Sequence, residues 1–216
     1  MRVAVTGASG TIGTAVTRAL QERGDEVTAV SRSGSGDAVR WAAPQEQPAP
    51  AEALRGRDAV VHLLGEPIDQ RWSDDAKREI RDSRVLGTRN LVAGLRELPD
   101  AERPRVLVSQ SAVGVYGPHG DEPVDESAPA GEDFLAHVVA GWEAEALAAA
   151  ELGVRVATTR TGVVLSSGGG ALQKMLPFFK LGVGGPVAGG RQYVPWVHLD
   201  DVAGAMLFAL DTEAAR

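Results

Sequence analysis

The first 32 residues narrow the possible folds more than any other stretch. Arg2-Val3-Ala4-Val5-Thr6 is short, apolar and rich in β-branched residues, the make-up of a buried parallel strand. Gly7, Gly10 and Gly13 follow at three-residue spacing. Ile12, Val16, Ala19 and Leu20 then recur at helical period, Gly24 marks a helix end, and Glu26–Ser31 reads as a second strand. A strand that turns through glycines straight into a helix is the opening βαβ unit of a dinucleotide-binding fold. Its glycines let backbone approach a pyrophosphate, and the amides and positive dipole of the helix N-terminus hold the charge. Gly7, Ser9, Gly10, Thr11, Ile12 and Gly13 are the residues expected on that side.

The end of the second strand points to one nucleotide over the other. A site selective for NAD would carry Asp or Glu there, for the ribose 2′-hydroxyl. This chain has Ser31-Arg32-Ser33, with no carboxylate until Asp37. A guanidinium matches a 2′-phosphate in charge and geometry, and the serine hydroxyls add hydrogen bonds. The expected cofactor is NADP(H).

Composition removes several classes. The chain has 216 residues, a net charge of −7 and dispersed Lys and Arg, so no nucleic-acid or membrane-surface partner is expected. It contains no cysteine, which excludes disulfides and thiolate chemistry, and no metal site is expected. Residues 1–20 lack the pattern of a signal peptide and no apolar run reaches membrane length, so a cytoplasmic protein is expected.

The rest of the chain continues the alternation of strands and helices. Val39-Arg40-Trp41 reads as a short third strand, followed by a Pro/Gln/Ala tract taken as an exposed loop without chemistry. Asp58–Gly65 is a buried-type strand whose crevice end brings Leu64, Gly65 and Glu66 toward the cofactor, with His62 inside the strand as a satisfied imidazole. A long helix runs over 73–98, and its apolar stripe is interrupted by Ser83 and Arg84. Arg84 either points at the crevice or is paired within the core; the first reading places it among the cofactor residues.

Arg105–Ser109 is the fifth strand and leads into Gln110–Gly117; a serine at its crevice end is placed to polarise a carbonyl. Ser111 is the first choice for this role and Ser109 the second. A helix follows over 132–151, then a sixth strand over 154–160 that continues through Gly162 and Val163 toward the nicotinamide end, with Arg160 beside it. Glycine-rich segments at 168–170 and 182–191 flank an apolar stretch suited to a lid. His198, ahead of a final helix, is expected to fix that turn.

Four blocks together carry a family resemblance: Thr6–Gly13; Gly65–Ile68 with Arg71-Trp72 and Ser83-Arg84; Ser109–Gly117; and Arg160–Leu165 with Gly189–Gln192 and Trp196–Asp201. They resemble the atypical, extended short-chain dehydrogenase/reductases of the epimerase family protein group, the YfcH-like proteins. The resemblance implies an α/β fold with a doubly wound parallel Rossmann sheet, NADP(H) binding and an ancestry among sugar-nucleotide epimerases. Residues 1–165 would form the NADP(H)-binding domain and 166–216 a partial substrate lobe returning to the core. Family members continue past the Trp196–Asp201 block, so a truncated C-terminal lobe is expected.

One departure bears on chemistry. Enzymes of this type use a Tyr-x-x-x-Lys pair on the helix after the fifth strand, and here Leu135 and Val139 stand at those positions. Tyr116, His137 or a bound water is left as proton donor. The expected function is an NADP(H)-dependent epimerase or oxidoreductase acting by carbonyl and hydride chemistry on a small polar, nucleotide-linked substrate. The alternative is a non-catalytic NADPH-binding or redox-sensing protein on the same fold. A homodimer through the two long helices is the expected assembly.

Overall fold

The opening unit forms as its glycines require. β1 (Arg2–Thr6) runs into a turn, α1 (Thr11–Glu22) and β2 (Glu26–Ser31). The computed structural model describes residues 1–166, 168–186 and 189–215. Gly7 has φ +66°, and a Cβ there would stand 2.7 Å from the Leu63 carbonyl; at Gly13 it would stand 2.2 Å from the Gly7 carbonyl. Only hydrogen fits at either place.

Four more parallel strands complete the sheet: β3 (Val39–Arg40), β4 (Ala59–His62), β5 (Val106–Ala112) and β6 (Arg155–Thr161). Their order is β3-β2-β1-β4-β5-β6. This is the doubly wound Rossmann arrangement, with its reversal of strand order between β1 and β4. Central strands are apolar on both faces because both are covered. On one side Ala4, Val60, Leu107 and Val156 pack under α2 (Ala51–Leu54), α3 (Asp74–Arg96) and α4 (Phe134–Leu147). On the other, Val3, Val5, Val61 and Val108 pack under α1 and α6 (Leu199–Asp211). Each such large side chain stabilises the fold by about 1.5–3 kcal/mol relative to exposure.

Two sequence expectations are corrected. The tract after β3 is not an exposed loop: Trp41 and Ala49 are buried, and the chain enters α2 within it. The sixth strand does not continue through Gly162. β6 ends at Thr161, and β7 (Val163–Ser166) leaves to pair with β8 (Trp196–His198) in a separate two-stranded sheet. At the break the Val163 amide donates to the Pro195 carbonyl at 2.7 Å, an approach that needs glycine at 162, where a Cβ would lie 2.1 Å from that oxygen.

Between β7 and β8, α5 (Gly170–Lys180) carries exposed Met175, Phe178 and Phe179. Its Lys174 pairs with Asp69 of the β4–α3 loop, tying the two sides of the crevice mouth. Positions 187 and 188, within the glycine-rich segment read as a lid hinge, lie outside the described residues. His198 caps α6, its Nδ1 accepting from the Asp200 amide at 3.3 Å.

Candidate functional site

A cleft of about 190 Å³ opens at the switch between β1 and β4, lined by Gly7, Ser9, Gly10, Ser31, Arg32, Pro44, Gln45, Leu63, Leu64, Gly65, Glu66 and Ser83. It is electropositive at the glycine turn and Arg32, and its lining also includes apolar Pro44, Leu63 and Leu64. α3, α4 and α6 have side-chain caps from Ser73, Asp133 and His198, but α1 begins at Gly10 with no such cap and no acidic residue in its first turn. Amides left this way suit a phosphate. Arg32 is exposed on the cleft and forms no ion pair with any described residue. Ser31 Oγ accepts from the Gly34 amide at 3.1 Å and shapes the turn that carries Arg32.

The opposite wall is built from α3. Ser83 Oγ accepts from the Glu66 amide at 3.0 Å, and Arg84 Nη1 donates to the Glu66 and Ile80 carbonyls, each at 3.0 Å. The Arg84 guanidinium presses on Gly65, where a Cβ would meet it at 2.9 Å, and lies over the Trp142 ring at 5.4 Å. Burial brings its pKa down to about 10, against the opposing pull of Glu66, and it stays charged at neutral pH. The two polar interruptions of the helix stripe are thus scaffolding. Arg84 holds the cleft wall from behind and does not line the cleft.

Under the glycine turn lies a fully buried imidazole. His62 Nδ1 is 2.8 Å from Thr6 Oγ1 and Nε2 is 2.9 Å from Thr88 Oγ1, while Thr6 Oγ1 also accepts from the Leu63 amide at 3.1 Å. Burial drives its pKa to about 3, so His62 is neutral throughout the physiological range.

A second polar assembly sits at the crevice ends of β5 and β6, where Ser111 and Arg160 are register partners. Ser111 Oγ donates to Glu143 Oε1 at 2.5 Å. Arg160 grips the same carboxylate through Nε at 2.8 Å and Nη2 at 2.9 Å, and its Nη1 donates to the Tyr116 hydroxyl at 2.8 Å. Burial alone would raise the Glu143 carboxyl; the hydrogen bonds from Arg160 and Ser111 outweigh it and hold the group below its usual range. Hydrogen bonding to Glu143 in turn raises Arg160. Since Arg160 donates to the Tyr116 oxygen, the phenol proton points elsewhere. Tyr116 lines a larger cavity of about 780 Å³ with Asp125, Glu126, Thr158–Gly162 and the α6 face at Val202, Ala205 and Phe208.

The structure therefore gathers Gly7, Ser9, Gly10, Ser31, Arg32, Leu64, Gly65 and Glu66 around one cleft and leaves other expected residues elsewhere. Thr11 lines an adjoining depression, while Ile12 and Gly13 turn inward. Ser33 faces away, its Oγ 2.8 Å from that of Ser35. Ser109 and Ser111 are each 1 % exposed. Ser111 is engaged with Glu143, so the freely presented carbonyl-polarising hydroxyl expected of it is not found. Arg160 and Gly162 border the larger cavity, and Val163 opens β7. His137 is on the exposed side of α4, its Nδ1 donating to the Asp133 carbonyl at 2.7 Å, and does not reach the crevice.

Sequence reasoning missed Pro44, Gln45, Ser83 as a wall residue, and Glu143. Ser83 left a signal as a polar break in the apolar stripe of its helix, and Glu143 as a carboxylate one helical turn beyond Val139.

Comparison with known proteins agrees with this geometry. Residues 3–216 match the model of the NAD dependent epimerase/dehydratase family. The chain is 40 % identical to the epimerase family protein SDR39U1 homolog, chloroplastic, of Arabidopsis thaliana, over 97 % of this chain and 62 % of that protein. It is 38 % identical to epimerase family protein SDR39U1 of Bos taurus, over 98 % and 71 %. The crystal structure of human SDR39U1 (isoform 2) with NADPH superposes with a TM-score of 0.85 at 37 % identity, covering 98 % of this chain and 70 % of that one. The nucleoside-diphosphate sugar epimerase of Corynebacterium glutamicum gives 0.82 at 36 %, covering 97 % and 43 %. The chain thus spans about three-fifths of the plant relative's length. No described helix is long and apolar enough to cross a membrane. The chain belongs to the NAD dependent epimerase/dehydratase family.

Proposed function

We propose that this chain binds NADP(H) in the cleft between the glycine turn and Arg32. We further propose that it forms the cofactor-holding part of an epimerase- or oxidoreductase-type enzyme for a small polar, nucleotide-linked substrate. The observation that carries the reading is Arg32, an exposed guanidinium without an ion-pair partner among the described residues, on the same cleft as an uncapped helix N-terminus. A cation in that place suits a 2′-phosphate. The glycine turn fits this use: a Cβ at Gly7 or Gly13 would collide with the chain's own carbonyls, so only glycine lets the turn pack this tightly against the start of α1. The NADPH in the human relative's structure supports the same choice.

When bound, NADPH supplies a hydride to a carbonyl carbon. The chain's own part is to hold the cofactor through Gly7–Gly13, Ser31 and Arg32, to fix the wall at Gly65 and Glu66, and to deliver a proton. Tyr116 suits that last task best, because Arg160 occupies its oxygen and turns its proton outward. The substrate-side lobe in this reading lies within residues 166–216, ahead of the return of the chain to the core at α6.

A second reading, cofactor binding without turnover, is favoured by one observation: Val139 is buried and Leu135 packs toward Gly114, so α4 offers no acid or base there. NADPH consumption over a panel of aldehydes, ketones and nucleotide-linked sugars separates the two. Turnover that Tyr116→Phe abolishes supports the enzyme; tight NADPH binding with no turnover on any member supports the binding protein.

A further inference from the structure

The segment after β3 is fastened to the body of the protein far more firmly than a connecting loop needs. Trp41 is buried and donates through Nε1 to the Gln47 carbonyl at 3.0 Å. Asn90 of α3 holds the segment at two points: its Nδ2 donates to the Pro44 carbonyl at 2.8 Å, and its carbonyl accepts from the Ala49 amide at 3.0 Å. α3 also carries Gly94 where a Cβ would come within 2.5 Å of the Ala49 carbonyl, so the segment is pressed directly onto the helix backbone. What this fastening presents to the cleft is Pro44 and Gln45, which line it together with Arg32.

The orientation of the Gln45 amide follows from its partner. Gln45 Nε2 lies 3.1 Å from Glu79 Oε2. A carboxylate only accepts, so the NH₂ end must face Glu79. Oε1 then sits at the other end of the amide and accepts no hydrogen bond from any described residue. Gln45, a residue of the cleft lining, thus carries an acceptor that no described donor engages. Pro44 and Leu64 add apolar surface to the lining of the same cleft.

We propose that Pro44 and Leu64 flank the base of the bound nucleotide, and that Gln45 Oε1 selects a 6-amino purine by accepting from its exocyclic amine. This rests on the NADP(H) reading, since the ribose whose 2′-phosphate meets Arg32 carries the base on that side of the cleft. A 6-oxo purine places an acceptor against Oε1 and leaves both oxygens without a proton, which is the arrangement that discriminates most strongly between otherwise equal ligands.

The test is a fluorescence titration of the full chain with NADPH and with its reduced hypoxanthine counterpart, on wild type, Gln45→Ala and Glu79→Gln. Wild type should bind the adenine form at least fivefold more tightly. Gln45→Ala should bring the two within about twofold, chiefly by weakening NADPH. Glu79→Gln lets the amide face either way and should narrow the preference while Gln45 remains. A preference that survives Gln45→Ala, with NADPH still bound tightly, overturns the assignment and leaves the NADP(H) reading standing. If wild type binds neither nucleotide, both fall.

Discussion

Ser111 Oγ donates a hydrogen bond to Glu143 Oε1 at 2.5 Å, and neither residue stands on the element that brings the other to the site. Ser111 ends β5, Glu143 lies on α4, and Arg160, facing Ser111 in the β5–β6 register, closes on the same carboxylate. Two strand ends and a helix are thus joined by one charged group at the place where the chemistry is proposed to occur.

Removing that charge should loosen the junction. Glu143→Gln keeps the shape but weakens the paired hydrogen bonds of Arg160, and a loss of about 1–3 kcal/mol of stability is expected in urea unfolding. The wild-type carboxyl is held below its ordinary 4.5, so its contribution is fully present above that pH and is lost as pH falls through the lower folded value. The stability difference between wild type and Glu143→Gln should accordingly shrink on acidification below about pH 4.5. A difference that stays constant to pH 3 would show that the charge contributes nothing.

The buried imidazole makes a stronger statement at milder pH. His62 has a folded pKa of about 3 against 6.5 when unfolded, so it stabilises the fold fully above 6.5 and progressively less as pH falls toward 3. Between pH 7.5 and 5.0 its share of the loss is about 2 kcal/mol. His62→Gln should unfold with a shallower pH dependence over that interval. In wild type, the His62 ring resonances should not shift with pH down to about 4.

Two glycines test the steric argument. A methyl group at Gly13 would meet the Gly7 carbonyl at 2.2 Å, and one at Gly162 would meet the Pro195 carbonyl at 2.1 Å. Each Ala substitution forces backbone apart and should cost at least about 1–3 kcal/mol in thermal or urea unfolding. Their effects on ligand should differ. Gly13→Ala should abolish NADPH binding, and Gly162→Ala, away from the cleft, should leave most of it in the protein that remains folded.

What the sequence discloses here follows the range of the forces involved. The turn at Gly7–Gly13 and the alternation of strands and helices along the chain are local or periodic, and both are legible from spacing. The wall at Pro44 and Gln45 is not, because its prolines and polar residues read as solvent-exposed. They are held by Asn90 and Trp41, contacts that only the tertiary fold brings together. The break at Gly162 is hidden for the same reason, since the obstructing Pro195 carbonyl lies 33 residues away. His137 was marked by its chemistry, yet the inward residues of α4 include Ala136, Val139, Trp142 and Ala146, and His137 falls on the outer side. Glu143 is the reverse case: it has the geometry, and nothing in its neighbours marks it except the turn-by-turn spacing from Leu135 and Val139.

The most direct test of the whole account is a side-by-side titration with NADPH and NADH on wild type and Arg32→Ala. Wild type should bind NADPH at least tenfold more tightly, about 1.4 kcal/mol, and Arg32→Ala should erase that preference by weakening NADPH while leaving NADH nearly unchanged. Equal binding of the two nucleotides by wild type, or a preference that persists without the Arg32 guanidinium, would contradict the assignment of the cleft to NADP(H).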